Sequence, residues 1–172
     1  RIDSFRFDLM GHQPRAAMVE VQQAANAAAG RNVPMVGEGW NFGEVADGVR
    51  FPQAAQGMLN GTGIATFSDR ARDALRGGGC CDSGVALFAG QGLINGLAYA
   101  PNARSHGEAS RRDLLHAADL ARAGLAGTLR DYRMQFADGR IATLDQLDYK
   151  GQPAGDARQP GEVVNYVENH DN

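Results

Sequence analysis

No stretch of the 172-residue sequence is apolar for long enough to cross a bilayer, and no signal-peptide pattern opens it. The chain begins RIDSFRF without a methionine, so the true N-terminus is expected to lie further upstream. Cysteine is nearly absent. The only two, Cys80 and Cys81, are neighbours directly after Gly77-Gly78-Gly79. That spacing excludes a Cys-x-x-Cys redox pair and a tetrahedral zinc site, and a disulfide between neighbours would strain the peptide joining them, so free loop thiols are expected. Basic clusters are missing too: the formal net charge is -3, the pI is about 5.8, and the arginines are scattered. This argues against nucleic acid or an anionic membrane as the main partner and suits a neutral substrate. The segment GQGLING at 90–96 lacks the G-x-G-x-x-G spacing and an adjoining strand-helix frame, which excludes a nucleotide fingerprint.

What is present has globular composition. With 43% hydrophobic and 22% charged residues the chain supplies one sizeable core and reads as part of a soluble protein. Residues 2–9 read as a strand in which Ser4, Arg6 and Asp8 share one face while Phe5, Phe7 and Leu9 share the other. Pro14 suits a first helical turn; Ala17, Met18, Val21, Ala25 and Ala28 then recur at helical spacing before Gly30, which offers a C-cap. Residues 34–37, PMVG, form a second short strand that runs directly into Glu38. Strand, helix and strand within 38 residues make a βαβ unit, which requires a parallel sheet. In such folds the chemistry gathers at the carboxyl ends of the strands, and there stand Asp8 and Glu38.

The middle of the chain is less regular. Ser68 is placed to cap a short helix, SDRARDALR, closed by the three glycines. Ser110 with Asp113 has the spacing of a capping box opening a helix that runs to about Gly127. Between them residues 77–109 are rich in glycine and read as a long loop, the kind of segment that often carries function. The last apolar run, VVNYV at 163–167, reads as a strand with ENHDN at its carboxyl end.

Three strand ends therefore each deliver an acid: Asp8, Glu38 and Asp171. One alone is more often a capping or ion-paired residue; three at corresponding ends favour an active site. Glycoside hydrolysis uses such carboxylates without a cofactor, one as nucleophile and one as acid. Arg6, on the face of Asp8, is expected to keep that nucleophile ionised and oriented. Glu38 needs the opposite treatment, with Trp40 and Phe42 as apolar neighbours raising its pKa, and Trp40 also offers a flat face to a sugar ring. A retaining mechanism places the carboxyl groups of Asp8 and Glu38 about 5 to 5.5 Å apart.

At these residues the sequence resembles a known family. FRFDLMGH at 5–12, GEGW at 37–40, GTGIATFSDRARDALRGGG at 61–79 and VVNYVENHDN at 163–172 are similar to the catalytic region of type I pullulanases, debranching enzymes of the α-amylase superfamily, glycoside hydrolase family 13. The resemblance spans nearly the whole chain. It implies an α/β fold, a partial (β/α)8 TIM barrel running roughly from strand four to strand seven with a loop-rich insertion, so that residues 1–172 are a piece of one catalytic domain incomplete at both ends. It implies retaining hydrolysis of α-1,6 branch linkages in pullulan, amylopectin or limit dextrins, with a branched α-glucan as partner.

By the same resemblance Asp8 is the nucleophile with Arg6 as its partner, Glu38 is the acid/base, and Asp171 is the transition-state stabiliser with His170 beside it as a sugar-hydroxyl contact; Trp40, by its flat ring, joins Arg6 and His170 as a substrate-binding candidate. No cofactor is implied; a structural calcium belongs to the resemblance, and the sequence identifies no site for it. His12 follows LMG as the only histidine of GHQP, and a substrate contact and a packing residue leading into the helix are equally good readings. A branching or transglycosylating enzyme would keep the same three acids, whereas a non-catalytic glucan-binding relative would be expected to lose Asp8 or Glu38.

Overall fold

The computed structural model describes residues 2–79, 82–104 and 109–169. Cys80, Cys81, His170 and Asp171 lie outside the described residues. In chain order the strands are β1 (Phe5–Phe7), β2 (Met35–Gly37), β3 (Ile64–Ser68), β4 (Arg133–Gln135), β5 (Ile141–Thr143), β6 (Asp148–Tyr149), β7 (Gln152–Pro153) and β8 (Val163–Asn165). The α-helices are α1 (Arg15–Ala29), α2 (Arg70–Arg76), α3 (Val85–Ala89) and α4 (Arg111–Leu125). The fold is mixed α/β with a parallel sheet, and it divides into two compact units, Arg1–Phe67 with Asp156–Val164, and Ser68–Gly155 with Asn165–Asn172.

The first unit is built on the βαβ unit that the sequence announces. β1 and β2 run parallel with Phe5 beside Met35 and Phe7 beside Gly37, and β2 runs parallel to β3 with Met35 beside Ile64. The sheet order is β1-β2-β3-β8. Pro14 is the extended N-cap of α1, where a missing N–H costs nothing, and Gly30 ends the helix at φ 64, a left-handed turn that glycine adopts without a Cβ penalty. The core joins Met10, Met18, Met35, Ala54, Leu59 and Ile64.

Burial departs from the sequence pattern at three places. Val21 and Ala28 face outward on α1, whose inner side is Met18 with Val19 and Ala25. Phe5 and Leu9 are exposed, and β1 is an end strand of the sheet. The chain leaves β1 early because Leu9 takes a left-handed backbone, φ 48, which turns Met10 into the core. The middle of the chain also holds a strand that its sequence hides: Ile64–Ser68 is β3, interior to the sheet. Ser68, expected as a helix cap, ends this strand fully buried with its hydroxyl unbonded, and Asp69 occupies the N-cap of α2 without a side-chain cap bond.

The second unit has its own core of Ala74, Ala117, Leu120, Ala123, Phe136, Ala142, Leu144, Leu147, Tyr149 and Ala154. The capping box predicted at Ser110 and Asp113 is formed, each side chain accepting from the other residue's backbone N–H, and it opens α4. α2 packs closely on α4: a Cβ on Gly124 would stand 2.2 Å from that of Ala71, so only glycine admits this approach. The β4–β5 hairpin, not legible in the sequence, covers the other side of the core through Phe136 and Ala142. Among its described residues the long loop at 77–109 contains one short helix, α3, and is braced by the side-chain amides of Gln91, Asn95 and Asn102. No helix among the described residues is long and apolar enough to cross a membrane.

Candidate active site

The parallel register decides where the acids fall. Since Phe7 pairs with Gly37, the next residues of the two strands are Asp8 and Glu38, side by side past the carboxyl ends of β1 and β2. The ladder carries on one step, because the Glu38 N–H donates to the Phe7 carbonyl at 3.0 Å. Gly37 is obligatory at this point. A Cβ there would meet the Phe7 carbonyl at 2.8 Å and the Met10 sulfur at 2.6 Å, pushing the strands apart just before Glu38.

Arg6 joins both carboxylates. Its Nη1 donates to Asp8 Oδ1 at 2.5 Å and its Nη2 donates to Glu38 Oε1 at 2.9 Å. The other Glu38 oxygen, Oε2, accepts from the Leu9 backbone N–H at 2.7 Å, and the left-handed turn at Leu9 accompanies that donation. The Glu38 backbone carbonyl accepts from Gly11 N–H at 2.8 Å. Glu38 is thus held at both ends and sheltered, its side chain 12% exposed, while the Asp8 side chain is 69% exposed. One carboxyl is thus fixed and sheltered beside one that is open to solvent.

Trp40 is half-buried, and its carbonyl packs so closely on Gly11 that a Cβ there would lie 2.0 Å away. Phe42, expected beside Glu38, stacks its ring on His12 with centroids 4.4 Å apart and planes 10° from parallel. His12 closes the short turn Met10–His12, and its Nδ1 lies 3.9 Å from a Glu44 carboxylate oxygen, so it is packed into the segment that leads to α1. The sequence pairs Arg6 with Asp8; its bond to Glu38 and the Leu9 donor emerge only in the fold. The sequence signal for the first was present in the equal lengths of FRFD at 5–8 and MVGE at 35–38 once the strands are aligned, whereas a leucine at positive φ has no sequence signature. His170 and Asp171 lie outside the described residues, one strand end further on in the sequence. Among the described residues no three His, Cys, Asp or Glu side chains gather as a metal centre.

Fold and site together define a segment of an α/β protein with two carboxylates, bridged by one arginine, at adjacent strand ends of a parallel sheet. No known family profile matches the chain, but individual proteins do. The pullulanase of Klebsiella pneumoniae is 45% identical over 172 residues, which is all of this chain and 15% of that protein. The chloroplastic pullulanase 1 of Arabidopsis thaliana is 38% identical over 182 residues, all of this chain and 18% of that one. Among solved structures, the maltotriose complex of PulA from Klebsiella pneumoniae superposes with a TM-score of 0.86 at 44% identity, over 98% of this chain and 18% of that chain. The chain is homologous to a segment of the pullulanases, and it spans less than a fifth of their length.

Proposed function

We propose that the chain is part of the catalytic (β/α)8 barrel of a starch-debranching glycoside hydrolase of family 13, from about strand four to strand seven, and that the whole protein cleaves α-1,6 linkages in pullulan, amylopectin and limit dextrins. The observation that carries this reading is the Arg6 guanidinium bonded to both Asp8 and Glu38 at adjacent strand ends. Homology over the full chain to pullulanases, and the binding of maltotriose by the PulA of the superposed structure, support an α-glucan as substrate.

In this mechanism the open Asp8 carboxylate attacks the anomeric carbon while Glu38 protonates the departing glycosidic oxygen. The covalent glycosyl-enzyme is then hydrolysed by a water that Glu38 deprotonates, so the anomer is retained. Arg6 orients Asp8 and releases its hold on Glu38 as that side chain takes and gives its proton. Asp171 stabilises the oxocarbenium-like transition state, His170 contacts a sugar hydroxyl and Trp40 lies against a ring face; these three roles rest on the sequence motifs. Residues 1–172 made alone are expected to be nearly inert, because catalysis is sensitive to misplacement on the order of 1 Å and a barrel segment lacks the neighbours that fix its strands.

The test is product analysis with the full-length protein on pullulan. New reducing ends with maltotriose release, retention of the anomer, and loss of turnover in Asp8→Asn and Glu38→Gln are expected. An unchanged reducing-end count with altered branching would assign transglycosylation instead, and full activity of Glu38→Gln would remove Glu38 from the acid role.

A further inference from the structure

The first unit contains a fully buried polar side chain that the chemistry above does not use. Gln53 is 0% exposed, and both ends of its carboxamide are bonded. Its Nε2 donates to the Gly11 carbonyl at 3.0 Å, and its Oε1 accepts from the Gly48 N–H at 3.2 Å. The backbone on either side of Gln53 is tied to the residues that follow Gly11. The Arg15 N–H donates to the Pro52 carbonyl and the Ala54 N–H to the Gln13 carbonyl, each at 2.8 Å, with Pro14 and Gln53 meeting as an antiparallel bridge between them.

Gly11 is where this contact reaches the acids. Its carbonyl takes the Gln53 amide, while its N–H donates to the Glu38 carbonyl at 2.8 Å. Two residues back in the same short turn, the Leu9 N–H donates to Glu38 Oε2 at 2.7 Å, and the His12 N–H closes the turn on the Leu9 carbonyl at 3.0 Å. Leu9 is left-handed at φ 48, a conformation that a leucine keeps only where its surroundings hold it.

A buried amide is costly unless both its ends find partners, and a network satisfied at every member is rigid. Gln53 meets that condition with one end on the turn and the other on Gly48. An apolar side chain of similar volume would fill the same space without holding the Gly11 carbonyl. With Oε2 occupied by the Leu9 donor, the proton of Glu38 is directed to Oε1, the oxygen that Arg6 releases in the mechanism above.

We infer that Gln53 is a positioning residue for Glu38: it fixes the turn at Leu9–Gly11 and through that turn keeps the Leu9 N–H on the Glu38 carboxyl. This rests on the proposed acid/base role of Glu38 and extends it. Gln53 touches no substrate in this scheme and acts through Gly11.

The experiment uses the full-length protein and compares Gln53→Met with the parent on two substrates, pullulan and α-maltotriosyl fluoride. On pullulan the departing sugar oxygen needs the proton of Glu38, whereas fluoride leaves the anomeric carbon without one, as Asp8 forms its bond there. The ratio kcat/KM reports formation of the glycosyl-enzyme, so the pair of substrates separates the acid from everything else. On pullulan kcat/KM is expected to fall about ten- to a hundredfold, the scale of a misplacement near 1 Å. On the fluoride it is expected to stay within about threefold of the parent, and Glu38→Gln is expected to show the same split. Equal losses on both substrates, or a parent-like value on pullulan, would overturn the inference while leaving the debranching reading intact. Absence of the split in Glu38→Gln would remove Glu38 from the acid role and the inference with it. Should Gln53→Met fold poorly, Gln53→Asn, one methylene too short to span Gly11 and Gly48 together, is expected to show the same dependence on the leaving group.

Discussion

Arg6 and Glu38 are 32 residues apart in sequence, yet the Arg6 Nη2 lies 2.9 Å from the Glu38 Oε1. The same guanidinium holds Asp8 through its other nitrogen, so a single planar fork sets the distance between two carboxylates on neighbouring strands. Lysine is a point charge and cannot span them in this way. Arg6→Lys is therefore expected to lower the turnover number on pullulan about a hundredfold, the cost of about 1 Å of misplacement, with KM little changed. Steady-state kinetics of the full-length variant decide this, and a lysine variant with the parent rate would show that the fork is not required.

Glu162 secures the opposite end of the same sheet. Its carboxylate is buried, and it accepts from the Gly61 N–H at 2.6 Å, the Gly63 N–H at 3.4 Å and the Gln159 N–H at 3.0 Å, tying the loop before β3 to the turn before β8. Glu162→Ala leaves these donors without their acceptor and is expected to destabilise the protein by about 2–3 kcal/mol. Denaturant unfolding measures it; a loss below about 0.5 kcal/mol would mean that water replaces the carboxylate at no cost.

Asp113 gives a pH dependence whose sign follows from its hydrogen bonds. The Ser110 hydroxyl, and then the Ser110 backbone N–H, hold its carboxyl below the usual carboxylate range. A lowered folded-state pKa stabilises the start of α4 above the ordinary value near 4, and that stabilisation is lost as pH falls through the folded-state value. Amide exchange in the first turn of α4 is accordingly expected to speed up relative to the rest of the helix as pH drops below about 4. Asp113→Asn should show the faster exchange already at neutral pH, and identical profiles for the two proteins would remove the capping box as the cause.

The sequence alone determined what depends on near neighbours. The two-residue period of FRFD, the helical spacing after Pro14, the glycine at 30 and the PMVGE run are each readable within a few residues, and together they put Asp8 and Glu38 at the ends of parallel strands. The Ser110–Asp113 box is equally local, and it formed as read. The tertiary structure decided what depends on pairing at a distance. Local spacing favoured Ser68 as a helix cap, but the buried parallel strand at 64–68 claimed it, since ladder bonds and core packing on β2 outweigh one capping bond. That Arg6 grips Glu38 as well as Asp8, that Leu9 turns left-handed to donate to Glu38, and that Gln53 reaches Gly11 all require distant segments to be brought together first. Side-chain hydrogen bonds across tens of residues leave no periodic trace in the chain, because their geometry is set by the packing of the elements that carry them.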